Sequence, residues 1–231
     1  MENNINFFGY CDDILDDFLD KMSTITWKKK GIFFSEALAF MAMCKKYRVD
    51  TVIESGVRNG SSTEMWLNYF DKNVKIFSVD LMKHNKDVNS AIQKLSHYKN
   101  LEFKQGNGEV VVPEIIKSLP STARVGILLD GPKSFGAMNI TEECFRISDI
   151  TKFTSIHDMG QGALKYNPNL EYLKSIEVLN TWPNYTFITD DEDYRKKFSF
   201  VDDKLGGKNN KVWSEYKNKY KVGCGLAFVE K

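Results

Sequence analysis

From Asp50 onward, the sequence alternates short apolar runs rich in β-forming residues with longer segments of helical periodicity. Parallel strands need a crossover connection, which a helix usually supplies, so this alternation predicts a parallel sheet with helices on both faces. The predicted strands are residues 50–53, 75–79, 101–104, 125–129 and 154–157, and the predicted helices between them are residues 62–70, 88–98, 110–118 and 142–150.

Both ends of the chain depart from this alternation. Residues 185–189 and 223–229 have the composition of strands, and the polar segment between them lacks a strong helical period. A final antiparallel pair would need no helical crossover. Upstream, residues 12–22 and 35–47 show helical periodicity, and Ser35 is the predicted cap of the second helix. We therefore predict a Rossmann-like, doubly wound α/β fold: a mostly parallel seven-stranded sheet with an antiparallel last strand and a helical N-terminal cap.

Composition narrows the class of protein. The 231 residues suit one α/β domain, and a formal net charge of +1 argues against a nucleic-acid partner. No stretch approaches the roughly 20 apolar residues that span a bilayer, and no signal peptide is visible, so we expect a cytoplasmic protein. The sequence leaves open whether the chain is a module of a longer protein or forms a homo-oligomer. The cysteines contain no CxxC pair, which predicts reduced thiols at Cys11, Cys44, Cys144 and Cys224.

The turn at residues 54–62, after the first strand of the alternating region, has the features of a nucleotide-binding loop. Gly56 and Gly60 allow close approach of the backbone to a ligand, and a helix N-terminus follows. The turn lacks the lysine of a P-loop and the spacing of GxGxxG. Because Glu54 would repel a pyrophosphate and attract a cation, the turn favours S-adenosylmethionine, which carries an ammonium, a sulfonium and no phosphate.

Two further strand ends lie on the same edge of the predicted sheet. Asp80 ends the second predicted strand, where an acid can accept hydrogen bonds from ribose hydroxyls. The turn after the third, Gln-Gly-Asn-Gly at residues 105–108, places Asn107 where it could bind adenine. Residues that could contact a nucleoside thus follow three successive strands, which favours one nucleoside-binding cleft.

With these motifs, the sequence resembles the class I S-adenosylmethionine-dependent methyltransferases. The matching residues are the E-S-G-x-x-x-G-S-S turn, the V-D after the second strand and the G-N after the third. The resemblance implies one methyltransferase domain, in which residues 1–49 form a cap that often shapes the acceptor site and residues 50–231 form the catalytic core. It also implies a cofactor-binding set of Glu54, Gly56, Gly60, Ser61, Ser62, Asp80, Asn107 and Asp130.

The fourth and fifth strands end in Asp130-Gly-Pro-Lys133 and His157-Asp158-Met159. This arrangement resembles the catechol-type and sugar-modifying O-methyltransferases, which implies that Asp130 and Asp158 bind Mg2+ or Mn2+. Lys133 would then be the general base, with a pKa lowered by the metal ion. Met159 departs from that pattern, because the family usually has another oxygen ligand there and a thioether is a poor ligand for magnesium. Without a metal ion, His157 becomes the stronger base candidate, so the catalytic set is Lys133, His157 and Asp130.

The acceptor is the least constrained part of the prediction. The resemblance, together with a net charge that is not strongly positive, favours a hydroxyl of a carbohydrate, which could be a small molecule or part of a glycan. A catechol or phenol is one alternative, and a cofactor-binding module that has lost catalysis is another. Four aromatic residues could wall the acceptor pocket, although core packing is the expected use: Trp27, Phe33, Phe34 and Trp182. We expect the acidic run at residues 190–193 to be solvated.

Overall fold

The computed structural model describes residues 2–28, 31–81, 86–159, 170–182, 185–189, 191–207, 213 and 225–231. Within them, the strands are β1 (Thr51–Ser55), β2 (Lys75–Asp80), β3 (Leu101–Gln105), β4 (Val125–Leu129), β5 (Thr151–His157), β6 (Tyr185–Ile188) and β7 (Leu226–Glu230). The helices are α1 (Glu2–Met22), α2 (Phe34–Tyr47), α3 (Ser61–Tyr69), α4 (Lys86–Leu95), α5 (Gly108–Ser118), α6 (Phe135–Ile147), α7 (Leu170–Thr181) and α8 (Glu192–Gly206). No helix in the described ranges is long and apolar enough to cross a membrane.

The described strands form one seven-stranded sheet in the order β3-β2-β1-β4-β5-β7-β6. Strands β1 to β5 pair in parallel, whereas β7 runs antiparallel to both of its neighbours, β5 and β6. This confirms the predicted Rossmann-like sheet with its antiparallel last strand. The strand order reverses between β1 and β4, and ligands of open α/β sheets bind at the carboxyl ends of the strands beside such a reversal.

The C-terminal part contains more helix than the sequence pattern predicted. The polar segment between β6 and β7 forms α8, which begins where the Asp191 carboxylate accepts hydrogen bonds from the amides of Asp193 and Tyr194 at 3.0 and 3.1 Å. Its buried face consists of Tyr194, Phe198, Val201 and Leu205. The sequence showed no strong helical period here because this narrow apolar stripe is spread among many charged residues. Helix α7 was also not predicted. Asp190, Gly223 and Cys224 lie outside the described residues.

Helix α2 is part of the core, with nearly every residue from Phe34 to Cys44 buried. Ser35 is not its cap, contrary to the prediction. The amide of Phe33 donates to the Glu36 carboxylate at 2.8 Å, and the Ser35 amide and hydroxyl bind Asp202 at 2.9 and 2.6 Å. Glu36 therefore satisfies the start of the helix, because its side chain reaches back over the first turn.

The N-terminal aromatic residues pack in the core. Trp27 and Phe33 stack with ring centroids 6.2 Å apart, and both meet the Trp213 ring edge-on, at 5.0 and 5.4 Å. Phe34 is fully buried, and Trp182 is partly buried against the hydrophobic cluster on the other face of the sheet. This confirms core packing as the use of these residues. Cys11, Cys44 and Cys144 are free thiols, and all three are buried.

Candidate active site

The turn after β1 lies directly against the turn after β4. The amides of Asp130 and Gly131 both donate to the Ser55 carbonyl, at 2.7 and 2.9 Å. Gly56 has a φ of +100°, and a Cβ built there would lie 2.8 Å from the Gly131 nitrogen. Glycine is therefore required at position 56 both by the backbone conformation and by the close contact.

Asp80 connects the end of β2 to the same turn. One of its carboxylate oxygens accepts hydrogen bonds from the amides of Val57 and Arg58, at 2.9 and 3.2 Å. Asp80 therefore fixes the shape of the turn, a function that its position at a strand end did not reveal. It also borders the cleft described next, as the sequence predicted.

A cleft of about 160 Å³ opens at the carboxyl ends of β1, β2 and β3. It brings together Gly56, Asp80 and Asn107 from the predicted set, and Asn107 also caps α5 by accepting from the Glu109 amide at 3.1 Å. Leu81 was not predicted, although an apolar residue after a strand-end acid is a usable signal; it is 65% exposed at the cleft. The full lining is Ser55, Gly56, Val79, Asp80, Leu81, Gly106, Asn107, Gly108, Gly131 and Pro132.

Glu54 lies beneath the turn and does not line the cleft. Its side chain is fully buried, and its carboxylate accepts hydrogen bonds from the hydroxyls of Ser62 and Thr63 and, at 3.3 Å, of Ser78. Burial raises the pKa of Glu54 to about 7, and the nearby Asp130 adds to the rise. The structure thus places this carboxylate away from the surface where we expected it to attract a cation.

The other predicted residues of the turn also face inward. Ser61 and Ser62 are 2% and 8% exposed, and neither belongs to the cleft lining. Gly60 packs against α4, where an added Cβ would lie 2.8 Å from that of Ala91. These residues lie at the start of α3, and the part of the turn that lines the cleft is Ser55 and Gly56.

At the ends of β4 and β5, four of the predicted side chains form one charged cluster. The Lys133 ammonium contacts the Asp130 carboxylate and lies 2.5 Å from Asp158 Oδ2. His157 Nδ1 lies 2.8 Å from Asp130 Oδ1 and 3.4 Å from Asp158 Oδ1. Asp130 and Lys133 flank Gly131 and Pro132, which line the cleft, so the cluster borders the cleft directly.

The far side of His157 faces a residue that was not predicted for the site. Glu36 Oε2 lies 3.4 Å from His157 Nε2, and the other Glu36 oxygen accepts from the Gly225 amide at 2.8 Å. Glu36 is 2% exposed and comes from the N-terminal region. Nothing in the sequence pattern connects it with a histidine 121 positions later (157 − 36), because only the packing of α2 brings the two together.

Charges within the cluster reinforce one another. Burial lowers the pKa of His157, but Asp130, Asp158 and Glu36 outweigh it and raise that pKa well above its ordinary value. Partial loss of solvent lowers the pKa of Lys133, and the two aspartates reverse this and raise it. The pKa values of Asp130 and Asp158 fall despite burial, because His157 and Lys133 stabilise the carboxylates. Neither nitrogen base is therefore neutral near pH 7, and the lowered lysine pKa expected beside a metal ion is reversed here.

Asp130, His157 and Asp158 could together offer three ligand atoms, all within 4.8 Å of one another. Met159 offers none, since its side chain is 2% exposed and packs in the hydrophobic cluster on the second face of the sheet. The position between the two carboxylates is taken by the Lys133 ammonium. The residues present therefore fit a divalent ion only if Lys133 withdraws.

The fold resembles solved structures of O-methyltransferases. One, from Streptomyces achromogenes, is involved in tomaymycin synthesis and was solved with S-adenosylmethionine; it has a TM-score of 0.58 and 10% identity, covering 92% of this chain and 88% of that chain. Another, from Bacillus cereus, was solved with S-adenosylhomocysteine; it has a TM-score of 0.57 and 10% identity, covering 96% and 91%. The chain has the class I methyltransferase fold.

At 10% identity, this likeness establishes the methyltransferase fold and leaves the chemistry to the site. No protein-family model and no curated protein matches the sequence. The chemistry of this chain therefore depends on its cleft and its charged cluster.

Proposed function

We propose that the protein is an S-adenosylmethionine-dependent O-methyltransferase that acts on a carbohydrate hydroxyl. The observation that carries the proposal is that the strand-end cleft of a methyltransferase fold opens beside the charged cluster of Asp130, Lys133, His157 and Asp158. The cleft offers room for a nucleoside cofactor, and the charged cluster offers groups that can orient a hydroxyl and take its proton.

Different residues of the cleft suit the ribose, the adenine and the methionine part of the cofactor. Asp80, at the end of β2, accepts hydrogen bonds from the ribose hydroxyls, and Leu81 supplies an apolar surface for the adenine. Asn107 supplies polar contacts at the adenine side. Gly56 and Gly131 would hold the methionine part of the cofactor, whose sulfonium would supply the methyl group beside the charged cluster.

The reaction forms a bond between the acceptor oxygen and the methyl carbon. The bond from sulfur to that carbon breaks, its electron pair stays on sulfur, and the hydroxyl proton passes to the cluster. Lys133 is the residue that meets the acceptor, because its side chain is 43% exposed and that of His157 is 9% exposed. Since Lys133 enters as an ammonium, it donates to the acceptor oxygen. An aspartate of the cluster takes the proton as the new bond to the methyl carbon makes that oxygen strongly acidic. His157 positions Asp130.

The cluster also favours the carbohydrate over the catechol. The resemblance implies a divalent ion for both acceptor classes, but a catechol has two vicinal oxygens that such an ion would hold together. Here the carboxylates already have a cation between them, and position 159 provides no oxygen side chain. A single hydroxyl, oriented by hydrogen bonds, needs no chelating metal.

Two measurements test the proposal. Calorimetry with S-adenosylhomocysteine should show binding that is weakened by Asp80→Ala. A screen with radiolabelled S-adenosylmethionine over sugars, glycans, catechols, RNA and protein should give transfer to a sugar hydroxyl. Transfer only to RNA or protein would contradict the proposal, and transfer to catechols that chelator abolishes would favour the alternative acceptor. Binding without transfer to any acceptor would indicate an inactive cofactor-binding module.

A further inference from the structure

We propose that the Lys133 ammonium is a resident cation that occupies the only position where the Asp130–His157–Asp158 cluster could hold a metal ion, so that methyl transfer proceeds without one. The inference rests on the proposed function, because it specifies how the same cluster meets the acceptor. The exclusion of a metal ion by Lys133 involves the cluster alone and can be measured without any acceptor.

The Lys133 ammonium and a metal ion would compete for one position. The three possible ligand atoms lie within 4.8 Å of one another, so they surround room for one cation. Lys133 contacts one carboxylate and lies 2.5 Å from an oxygen of the other. A divalent ion bonded to both carboxylates would lie against the ammonium, and two like charges at such a distance repel strongly in a partly buried site.

The cluster offers few ligand atoms for a metal ion. Beyond the two carboxylates, the cluster offers an imidazole nitrogen that already lies 2.8 Å from Asp130 Oδ1. Binding a metal through that nitrogen would give up this hydrogen bond. Met159 adds no oxygen, because its side chain is buried among apolar residues and its amide donates to the Gly225 carbonyl at 3.2 Å. The hard oxygen ligands that magnesium prefers are therefore few.

The Lys133 ammonium is on the solvent side of the two carboxylates. The side chains of Asp130 and Asp158 are each 23% exposed, whereas that of Lys133 is 43% exposed. The ammonium thus forms the outer layer of the cluster, and the carboxylates hold it from within. An approaching hydroxyl meets a positive hydrogen-bond donor at that surface, which is the electrostatic role that a metal ion would otherwise have.

Manganese binding provides the direct test. Mn2+ is titrated into the wild-type chain and into Lys133→Ala, and free Mn2+ is followed by electron paramagnetic resonance. We expect Lys133→Ala to bind Mn2+ about 100-fold more tightly than the wild type, because removing the ammonium opens the site and removes a repulsive charge. Adding Asp158→Asn to Lys133→Ala should abolish the gain.

Controls separate this effect from misfolding and from surface binding. Lys133→Gln keeps most of the side-chain length without the charge and should also gain Mn2+ affinity, so a poorly folded alanine variant does not decide the matter. Lys152→Ala, at the opposite end of β5 from His157, should bind Mn2+ as weakly as the wild type. Equal affinity in the wild type and both Lys133 variants, whether tight or weak, overturns the proposal.

A turnover assay provides a second test that does not depend on the manganese titration. If the chain transfers methyl groups, the rate should be unchanged by chelator and by added Mg2+. A rate that chelator abolishes and Mg2+ restores would overturn the proposal while leaving the O-methyltransferase function intact. If no acceptor is methylated, the proposed function fails, and the manganese titration still decides whether Lys133 excludes a metal ion.

Discussion

Replacing the buried acid beneath the cofactor turn should change how stability depends on pH. Glu54 is fully buried, and its carboxylate is bound by the hydroxyls of Ser62, Thr63 and Ser78. Its pKa rises from 4.5 to about 7 on folding, chiefly because burial disfavours the charged form. Glu54→Gln keeps the shape of the side chain and removes its titration.

The size and sign of the effect follow from that shift. Because the folded chain holds the Glu54 proton up to about pH 7 and the unfolded chain releases it near 4.5, protonated Glu54 stabilises the fold fully only below 4.5. This contribution is lost as the pH rises through about 7. At 1.36 kcal/mol per pKa unit, the loss amounts to about 3 kcal/mol. The glutamine variant does not suffer it, so its stability relative to the wild type should increase by about 2 to 3 kcal/mol between pH 5 and 8.

Urea unfolding at several pH values between 5 and 8 measures this difference directly. Subtracting the wild-type free energy of unfolding from that of the variant cancels other titrating groups, among them Asp202, whose pKa burial also raises to about 7. Glu114→Gln, on the exposed side of α5, is the matched control. Its free energy of unfolding should follow that of the wild type across this pH range. Parallel curves for Glu54→Gln would refute the reasoning, since they would show that the Glu54 carboxyl titrates alike in the folded and unfolded chains.

Three further variants test the cleft and the cluster. Asp80→Asn should weaken S-adenosylhomocysteine binding about tenfold in calorimetry and leave the thermal midpoint nearly unchanged, because an amide oxygen can still accept from the turn. Gly56→Ala should abolish that binding and cost about 2 kcal/mol in urea unfolding, whereas Gly9→Ala, where a Cβ meets nothing within 4 Å, should be neutral or stabilising. Lys133→Met should lower kcat about 100-fold or more with little change in cofactor affinity, and Lys152→Met should change neither; a large loss of cofactor affinity in Lys133→Met would show that Lys133 holds the cofactor and does not meet the acceptor.

The sheet could be predicted because its signal is local. The strands β1, β2, β4 and β5 are short and mostly buried, and β4 is apolar apart from its glycine, so the helical segments between them stand out. The residues 125–129 were placed at the observed bounds of β4 for this reason. The boundaries of α6 were less accurate, since helix ends depend on neighbours: α6 begins at Phe135, seven positions before the predicted start at 142 (142 − 135).

The residues of the cleft were predicted in part, and the residues that were wrongly placed there share one cause. Strand-end position correctly brought Gly56, Asp80 and Asn107 together, because parallel strands end at one edge. Strand-end position does not say which way a side chain points. Glu54 is the fourth residue of β1, within the sheet, and it faces the first turn of α3 below the cleft. Its neighbour Ser55 faces the cleft, as alternation along a strand requires.

The charged cluster shows why residue types at the right spacing do not fix the chemistry. Asp130, Lys133, His157 and Asp158 were identified from two strand ends, but each charge state depends on contacts that the sequence does not show. Two carboxylates beside one lysine raise the pKa of that lysine, whereas a metal ion in the same place would lower it. The same four residues could thus provide either a neutral base next to a metal or a cation that replaces the metal. The burial of Met159 and the position of the ammonium between the carboxylates favour the second arrangement. The mechanism therefore depends on which cation the carboxylates hold, and a manganese titration of the Lys133 variants can determine this before any acceptor is known.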